Sequence, residues 1–393
     1  MDILIIAHFV TEFEKEGTSR FVYIAEQLSQ HHTVELVTSD FDHITKRQRT
    51  VLNHSLQTKL TLLEEPSYPR NVCFKRFVSH ARFGENVKKY LASRKKPDVI
   101  YCAVPSLECA YYAAQYAQKN GVRFIVDVQD LWPEAFKMIF RLPLINDILF
   151  SPMKYKADKI YSCADVIVGV SKTYCQRAKT SNKKVDKMVP VFLGTKLDNF
   201  DQYVVDNRQS RAADEFILGY CGTLGHSYDI RCVLDAMRLI KERGYHKVSF
   251  WVMGDGPLKS DFEAYANKHD LKVVFYGRVA YEKMCGLLSS CDVCINPISR
   301  GAAQSIINKH GDYAASGLPV INTQEAAEYR ELVESYHCGI NCHCADSESV
   351  AEAIIYLMEH PENRIAMGQN ARKLAEELFD RKTSYTKIYE LFV

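Results

Sequence analysis

The sequence predicts an α/β protein built from two Rossmann-like, doubly wound domains facing across a cleft. Three observations carry that prediction. Apolar strand-like runs alternate with helical patterns along nearly the whole chain. A polar stretch near the middle interrupts the rhythm, and a second series follows it. The length, 393 residues, exceeds the ~250–300 residues at which a single core stops growing.

Asp2–Val10 (DILIIAHFV) is a continuous apolar run, as in a strand covered on both faces. Ser19–Gln30 sets Phe21, Ala25 and Leu28 at helical spacing, and Thr33–Thr38 reads as the next strand. Further strands are expected at Asp98–Val104, Arg123–Asp130 and Asp165–Ser171, with helical patterns between them. Thr195–Asp214 is polar and lacks sustained periodicity, so it reads as the linker. Strands resume at Glu215–Gly222, Val248–Gly254, Val273–Val279, Val293–Pro297 and Pro319–Thr323. Glu362–Val393 reads as two helices, the last with Tyr385, Ile388, Tyr389 and Phe392 on one face. The expected division is 1–195, 196–375 and a C-terminal helix at 376–393 that packs back on the first domain.

Composition removes several function classes. A net charge of only +2 argues against a nucleic-acid partner recruited by global charge. The 13 cysteines follow no regular framework, and several lie in apolar runs, as buried reduced thiols of a cytosolic protein do. Cys338, Cys342, His343 and Cys344 invite a metal reading, but no second pair stands at zinc spacing, and Cys291 and Cys294 read as buried thiols too. No apolar run reaches the ~18–20 residues needed to span a bilayer. The opening segment lacks a basic leader, so a cytoplasmic location is expected, with any membrane role peripheral.

In open α/β sheets ligands bind beyond the carboxyl ends of strands, so the loops after strands carry the chemistry. Gly17-Thr18-Ser19 opens a helix, where glycine permits close backbone approach and free N–H groups suit an anion. It also reads as a simple turn with a cap. Gly222-Thr223-Leu224-Gly225 and Gly254-Asp255-Gly256-Pro257 each follow a strand and can present backbone amides, although Asp-Gly-Pro is an ordinary turn signal as well. Gly301–Asn322 leads a polar loop into a helix with Lys309 and Asp312. A lysine there suits a diphosphate, and a carboxylate one turn on can accept the vicinal hydroxyls of a sugar. A solvated Lys–Asp helix pair is the competing reading.

These motifs, in this order, resemble the family 4 retaining glycosyltransferases of the GT-B fold, in the branch that builds bacterial surface polysaccharides and capsules. Asp127–Glu134 (DVQDLWPE) is similar to that branch too. The resemblance implies an acceptor-side first domain and a nucleotide-sugar-binding second domain. It implies transfer from a nucleoside diphosphate sugar to a lipid-linked saccharide, with no metal and no further cofactor. The family signature is two glutamates eight positions apart, where this chain has Gln304 and Asp312. The resemblance implies that Asp312 binds the donor ribose and Gln304 faces the donor sugar. Amides near Ile307 and Asn308 would hold the diphosphate, and Arg278-Val279 would meet the base. Many members carry an arginine and a lysine where this chain has Thr223 and Asp229. Lys309, then Arg300, are the expected substitutes at the phosphates. A histidine common after the fourth strand is replaced by Gln129-Asp130, which leaves Asp130 as an acceptor-side base or as a helix cap.

Arg70–Lys96 holds nine basic residues against Glu85, interleaved with Phe74, Phe77 and Phe83, and Phe136–Lys159 mixes apolar with basic residues. Such segments suit an anionic inner-membrane surface, or form a solvated face over ordinary core. Two other readings stay open: a nucleotide-sugar epimerase on the same two-domain plan, and a non-catalytic homologue that binds a partner transferase.

Overall fold

The computed structural model describes residues 1–393 apart from 11, 14–18, 50–55, 72, 140–147, 213 and 303–304. It comprises two compact units, Met1–Phe192 with Tyr385–Val393, and Leu193–Ser384.

The first unit contains β1 (Asp2–Ile6), β2 (Thr33–Ser39), β3 (Phe41–Asp42), β4 (Arg47–Gln48), β5 (Lys59–Leu63), β6 (Val99–Val104), β7 (Arg123–Val128), β8 (Val166–Gly169) and β9 (Lys187–Pro190). Seven of these form a parallel sheet in the order β5-β2-β1-β6-β7-β8-β9, while β3 and β4 pair antiparallel. Every residue of β6 is buried, as are four of the five in β1. A strand flanked by helices on both faces has no solvated side, so it reads as an unbroken apolar run.

The second unit contains β10 (Phe216–Cys221), β11 (Val248–Met253), β12 (Val273–Gly277), β13 (Val293–Asn296), β14 (Val320–Asn322) and β15 (Gly339–Asn341), all parallel in the order β12-β11-β10-β13-β14-β15. Both sheets are doubly wound. The strand order reverses between β1 and β6 in one and between β10 and β13 in the other, where such sheets open a ligand crevice.

Three expectations need correction. The stretch read as linker, 195–214, contains the helix Leu197–Asn207, which anchors in the second unit by burying Leu197 and Phe200. The strands β5, β9 and β15 and the β3–β4 hairpin are not among the expected strands. The C-terminal stretch is not one helix after Pro361–Leu374. It runs through a π turn at Ala375–Phe379 and short turns at Arg381–Ser384, Thr386–Tyr389 and Glu390–Phe392.

The last nine residues complete the first unit. Tyr385, Ile388, Leu391 and Phe392 pack in one cluster with Ile3, Ile5 and Tyr101. Their attachment is polar as well as apolar. Arg20, at the start of the helix Arg20–Ser29, donates to the carbonyls of Val191 and Phe192 (3.1 and 3.0 Å) and to the Tyr385 hydroxyl (3.1 Å). Its charge is met by Asp127 on β7, at 3.0 Å, and both side chains are buried. Asp127 also accepts from the Tyr101 hydroxyl (2.6 Å) and the Gln129 amide (2.6 Å). Although burial alone would lower it, the Arg20 pKa is raised, chiefly by Asp127.

Candidate functional site

The second unit brings most of the sequence-predicted residues to the strand ends beside its switch point. The loops after β10 and β11 lock into one surface. Gly222 N–H donates to the Met253 carbonyl at 3.0 Å, and Leu224 N–H to the Asp255 carbonyl at 2.9 Å. Glycine is required by the closeness of the two backbones. A Cβ on Gly254 would stand 1.8 Å from the Gly222 oxygen, and one on Gly256 2.4 Å from the Leu224 oxygen. Gly254→Ala is therefore expected to force the loops apart and lower stability by roughly 1–3 kcal/mol, read as a drop in melting temperature.

Lys309 is the central feature. It lies in the first turn of the helix Asn308–Ala315 and is 7% exposed. Its Nζ sits 4.1 Å from the Tyr220 ring centre and 4.0 Å from that of Tyr228. A Cβ on Gly222, which has φ +142, would be 2.7 Å from that Nζ. The ammonium has no hydrogen-bond partner among the described residues. Burial pushes its pKa down to about 7, with Cys221 opposing weakly. The two rings supply cation–π attraction but no acceptor, so the charge is left for something else to meet.

Asp312, one turn on, is half-buried. Its Oδ1 accepts from Thr195 Oγ1 (3.0 Å) and from the Tyr281 hydroxyl (2.7 Å). Burial raises its pKa, against the pull of those two hydroxyls. Its Oδ2 accepts nothing among the described residues, so one oxygen remains for a ligand hydroxyl.

The loop before this helix is held by amides. Asn296, Asn322 and Asn341 stand in register at the ends of β13, β14 and β15. Asn296 donates to Asn322 and Asn322 to Asn341, each at 2.8 Å. Gln324 then donates to the Ser305 carbonyl at 2.6 Å, and Ile307 N–H to His310 Nδ1 at 3.3 Å. His310 stacks on Tyr329. Asn308 is exposed at the helix start.

The remaining predicted residues divide. Thr223 is exposed, and its carbonyl takes the Tyr220 hydroxyl at 2.8 Å. Arg278 is exposed and Val279 half-buried after β12. Arg300 is exposed and donates to the Cys344 carbonyl at 3.2 Å, beyond β15. Asp229 caps the helix Ile230–Glu242, accepting from Cys232 N–H. Gly17 and Gln304 lie outside the described residues. Asp130 belongs to the first unit. It accepts from Leu131 N–H (2.9 Å) and the Trp132 indole (3.2 Å), and burial raises its pKa. Asp130 bonds the very next N–H, not the N2 or N3 amide that a cap serves. Cys291, Cys294, Cys338, Cys342 and Cys344 are buried and free.

Sequence reasoning missed Thr195, Tyr220, Tyr228 and Tyr281, which have no motif of their own. It also missed a buried centre in the first unit. His8, just after β1, joins the Ser106 hydroxyl (Nδ1, 2.6 Å) to Glu65 (Nε2, 2.7 Å), and Ser79 donates to Glu65 at 2.5 Å. Burial would raise Glu65, but His8 beside it holds its pKa below the usual carboxylate value.

A family model described as "Glycosyl transferases group 1" matches residues 215–360. The chain is 23% identical over 310 residues to the putative colanic acid biosynthesis glycosyl transferase WcaI of Escherichia coli K12, covering 74% of this chain and 72% of that one. It is 25% identical over 235 residues to the O-antigen chain mannosyltransferase C of Escherichia coli, covering 59% and 60%. Among solved structures, Anabaena HepE in complex with UDP superposes with a TM-score of 0.71 at 14% identity, over 100% of this chain and 99% of that one. Sucrose-phosphate synthase of Thermosynechococcus elongatus gives 0.73 at 18% identity, over 99% and 98%. WaaG, a glycosyltransferase involved in lipopolysaccharide biosynthesis, gives 0.65 at 15% identity, over 97% and 98%.

Proposed function

We propose that this glycosyltransferase of the GT-B fold holds in its second unit a nucleoside diphosphate sugar whose glycosyl group passes to a lipid-linked saccharide in surface-polysaccharide assembly. The observation that carries this reading is the buried Lys309 ammonium beside Gly222, which has no hydrogen-bond partner among the described residues. A diphosphate brings the acceptor oxygens that this cation lacks, and amides of the glycine loops and of the helix start at Asn308 add donors. Breaking the sugar–phosphate bond leaves negative charge on the diphosphate. A preorganised cation in a dry site stabilises that charge more than the ground state. Asp312 Oδ2 is the candidate acceptor for a ribose hydroxyl.

Retention of configuration and metal-free transfer are part of the proposal and rest on the motif resemblance. UDP is the first donor base to try, since HepE was solved with UDP. The experiment is a thermal-shift series with UDP, GDP, dTDP and their sugars, followed by nucleotide release from whichever sugar shifts the melt. One nucleotide should raise the melting temperature. No shift with any of them would remove the donor assignment.

Membrane association is the second part. No helix among the described residues is long and apolar enough to cross a membrane. The helix Phe74–Ser93 nevertheless leaves Phe74 81% exposed, together with Phe77 and Val78. Ile148, Leu149 and Tyr155 are exposed as well, and Phe77 contacts Phe136, which stacks on Phe150. Lys75, Arg82, Lys88 and Lys89 are exposed on the same helix. Each basic residue near an anionic surface contributes about 1 kcal/mol. The chain is expected to sediment with phosphatidylglycerol vesicles at low salt, and Phe74→Ser with Phe77→Ser to reduce the bound fraction. Equal recovery with neutral vesicles would contradict this placement.

A further inference from the structure

The first unit carries a cluster of cations that donor chemistry does not use. Lys46, in the β3–β4 turn with φ +60, and Arg76, on the helix Phe74–Ser93, converge with His43 and His80. Phe9 and His8 sit beside them, just past the end of β1, and His80 stacks on Trp132. Lys46 Nζ donates to the His43 carbonyl (2.6 Å) and Asn71 Oδ1 (2.5 Å), and lies 4.5 Å from the Tyr68 ring centre. Arg76 lies over Trp132 (5.1 Å) and Phe9 (5.9 Å), donates to the Asn71 carbonyl (2.9 Å), and reaches His80 Nε2 at 3.4 Å.

Among the described residues neither cation has a carboxylate within ion-pair distance. The nearby carboxylates are committed elsewhere. Glu65 is held by His8 and Ser79. Asp42 accepts the N–H groups of Ile44 (2.7 Å) and Thr45 (3.1 Å) and stands 3.9 Å from Arg49. The cations oppose one another. Burial, then Lys46, Arg76 and His8, push His43 down to about 4. Burial, then His8, Arg76, His43 and Lys46, hold His80 well below its usual value. Lys46 is lowered by burial and then by Arg76. Lys46 and Arg76, gathered in a half-buried place with no carboxylate at ion-pair distance among the described residues, form a site that an anion completes. The same charges disfavour a dication there, although His8, Glu65 and His80 bring one ligand atom each within 4.8 Å of one another. Lys46, Arg76, His43 and Phe9 are only partly buried, so a small solute can reach them.

We infer that this pocket binds the anionic group, a phosphate or a carboxylate, of the glycosyl acceptor, with Arg76 and Lys46 as its charged contacts and Phe9 as its apolar wall. The inference rests on the glycosyl-transfer reading proposed above and on the acceptor-side role that the motif resemblance implies for the first unit. Arg76 offers a planar fork that suits either oxyanion, and Lys46 a point charge.

The test titrates glucose 1-phosphate, glucuronic acid and methyl glucoside into the full chain by calorimetry. UDP is kept saturating so that the second unit does not contribute, and the parent is compared with Arg76→Gln and Lys46→Gln. At least one anionic sugar should bind, with roughly tenfold or greater weakening in each variant, and methyl glucoside should not. The phosphate and carboxylate arms tell which oxyanion the site takes. Anionic sugars that bind no better than methyl glucoside, or that bind both variants as they bind the parent, would overturn the inference. Lys46→Gln changes a partly buried turn residue outside any helix and keeps the test open if Arg76→Gln does not fold. UDP binding is measured first, so a failure of the donor assignment is seen separately.

Discussion

Replacing Lys309 with methionine is expected to weaken binding of the proposed donor nucleotide, tested first as UDP, roughly 10- to 150-fold, the equivalent of about 1.5–3 kcal/mol for a lost hydrogen bond to a charged group. The same change should raise the melting temperature of the unliganded chain. Lys309 holds a charge with no acceptor among the described residues, between the rings of Tyr220 and Tyr228. An apolar chain of similar length removes that penalty. Opposite movements of stability and affinity separate a ligand-binding lysine from a merely structural one, whose loss would lower both. Asp312→Ala should also weaken binding, but it leaves the Thr195 and Tyr281 hydroxyls unpaired and so lowers stability.

The second large effect is on folding. Asp127→Ala removes the acceptor for Arg20, Tyr101 and Gln129 at once and leaves a buried guanidinium without a counter-charge. Breaking a buried ion pair from one side costs about 3–5 kcal/mol. Chemical denaturation should show the loss. Because Arg20 also holds Tyr385, the segment Tyr385–Val393 should become sensitive to protease in the variant. An unchanged midpoint would mean that the pair contributes little beyond its own desolvation.

The strands that position the site were legible because their burial on both faces writes an unbroken apolar run, as in β1, β6, β10 and β11. Edge strand β5 (KLTLL) escaped because most of its residues are only partly buried. The helix Leu197–Asn207 escaped because Leu197 and Phe200 alone are buried on it, too thin a stripe to show a 3.6 period. Lys309 and Asp312 could be named from their motif. What encloses them could not, because Tyr220 and Thr195 meet them only through long-range packing. The same holds for His8, Glu65 and Ser106, which are 57 and 98 positions apart from His8 and share no motif. The Asp127–Glu134 segment stood out in the sequence, yet its first carboxylate is an internal counter-ion to Arg20.

Proton uptake on UDP binding tests the role of Lys309 most directly. Its pKa in the free chain is about 7, so at pH 8 the amine is mostly neutral and must take up a proton to meet a diphosphate. Bound diphosphate raises that pKa. Affinity should therefore fall by up to about tenfold per pH unit above pH 7. Calorimetry of UDP binding at pH 8, in two buffers of different ionisation enthalpy, should report uptake approaching one proton by the parent and none by Lys309→Met. Binding by the parent without proton uptake, or with equal uptake by the variant, would contradict the assignment of Lys309 to the donor phosphates.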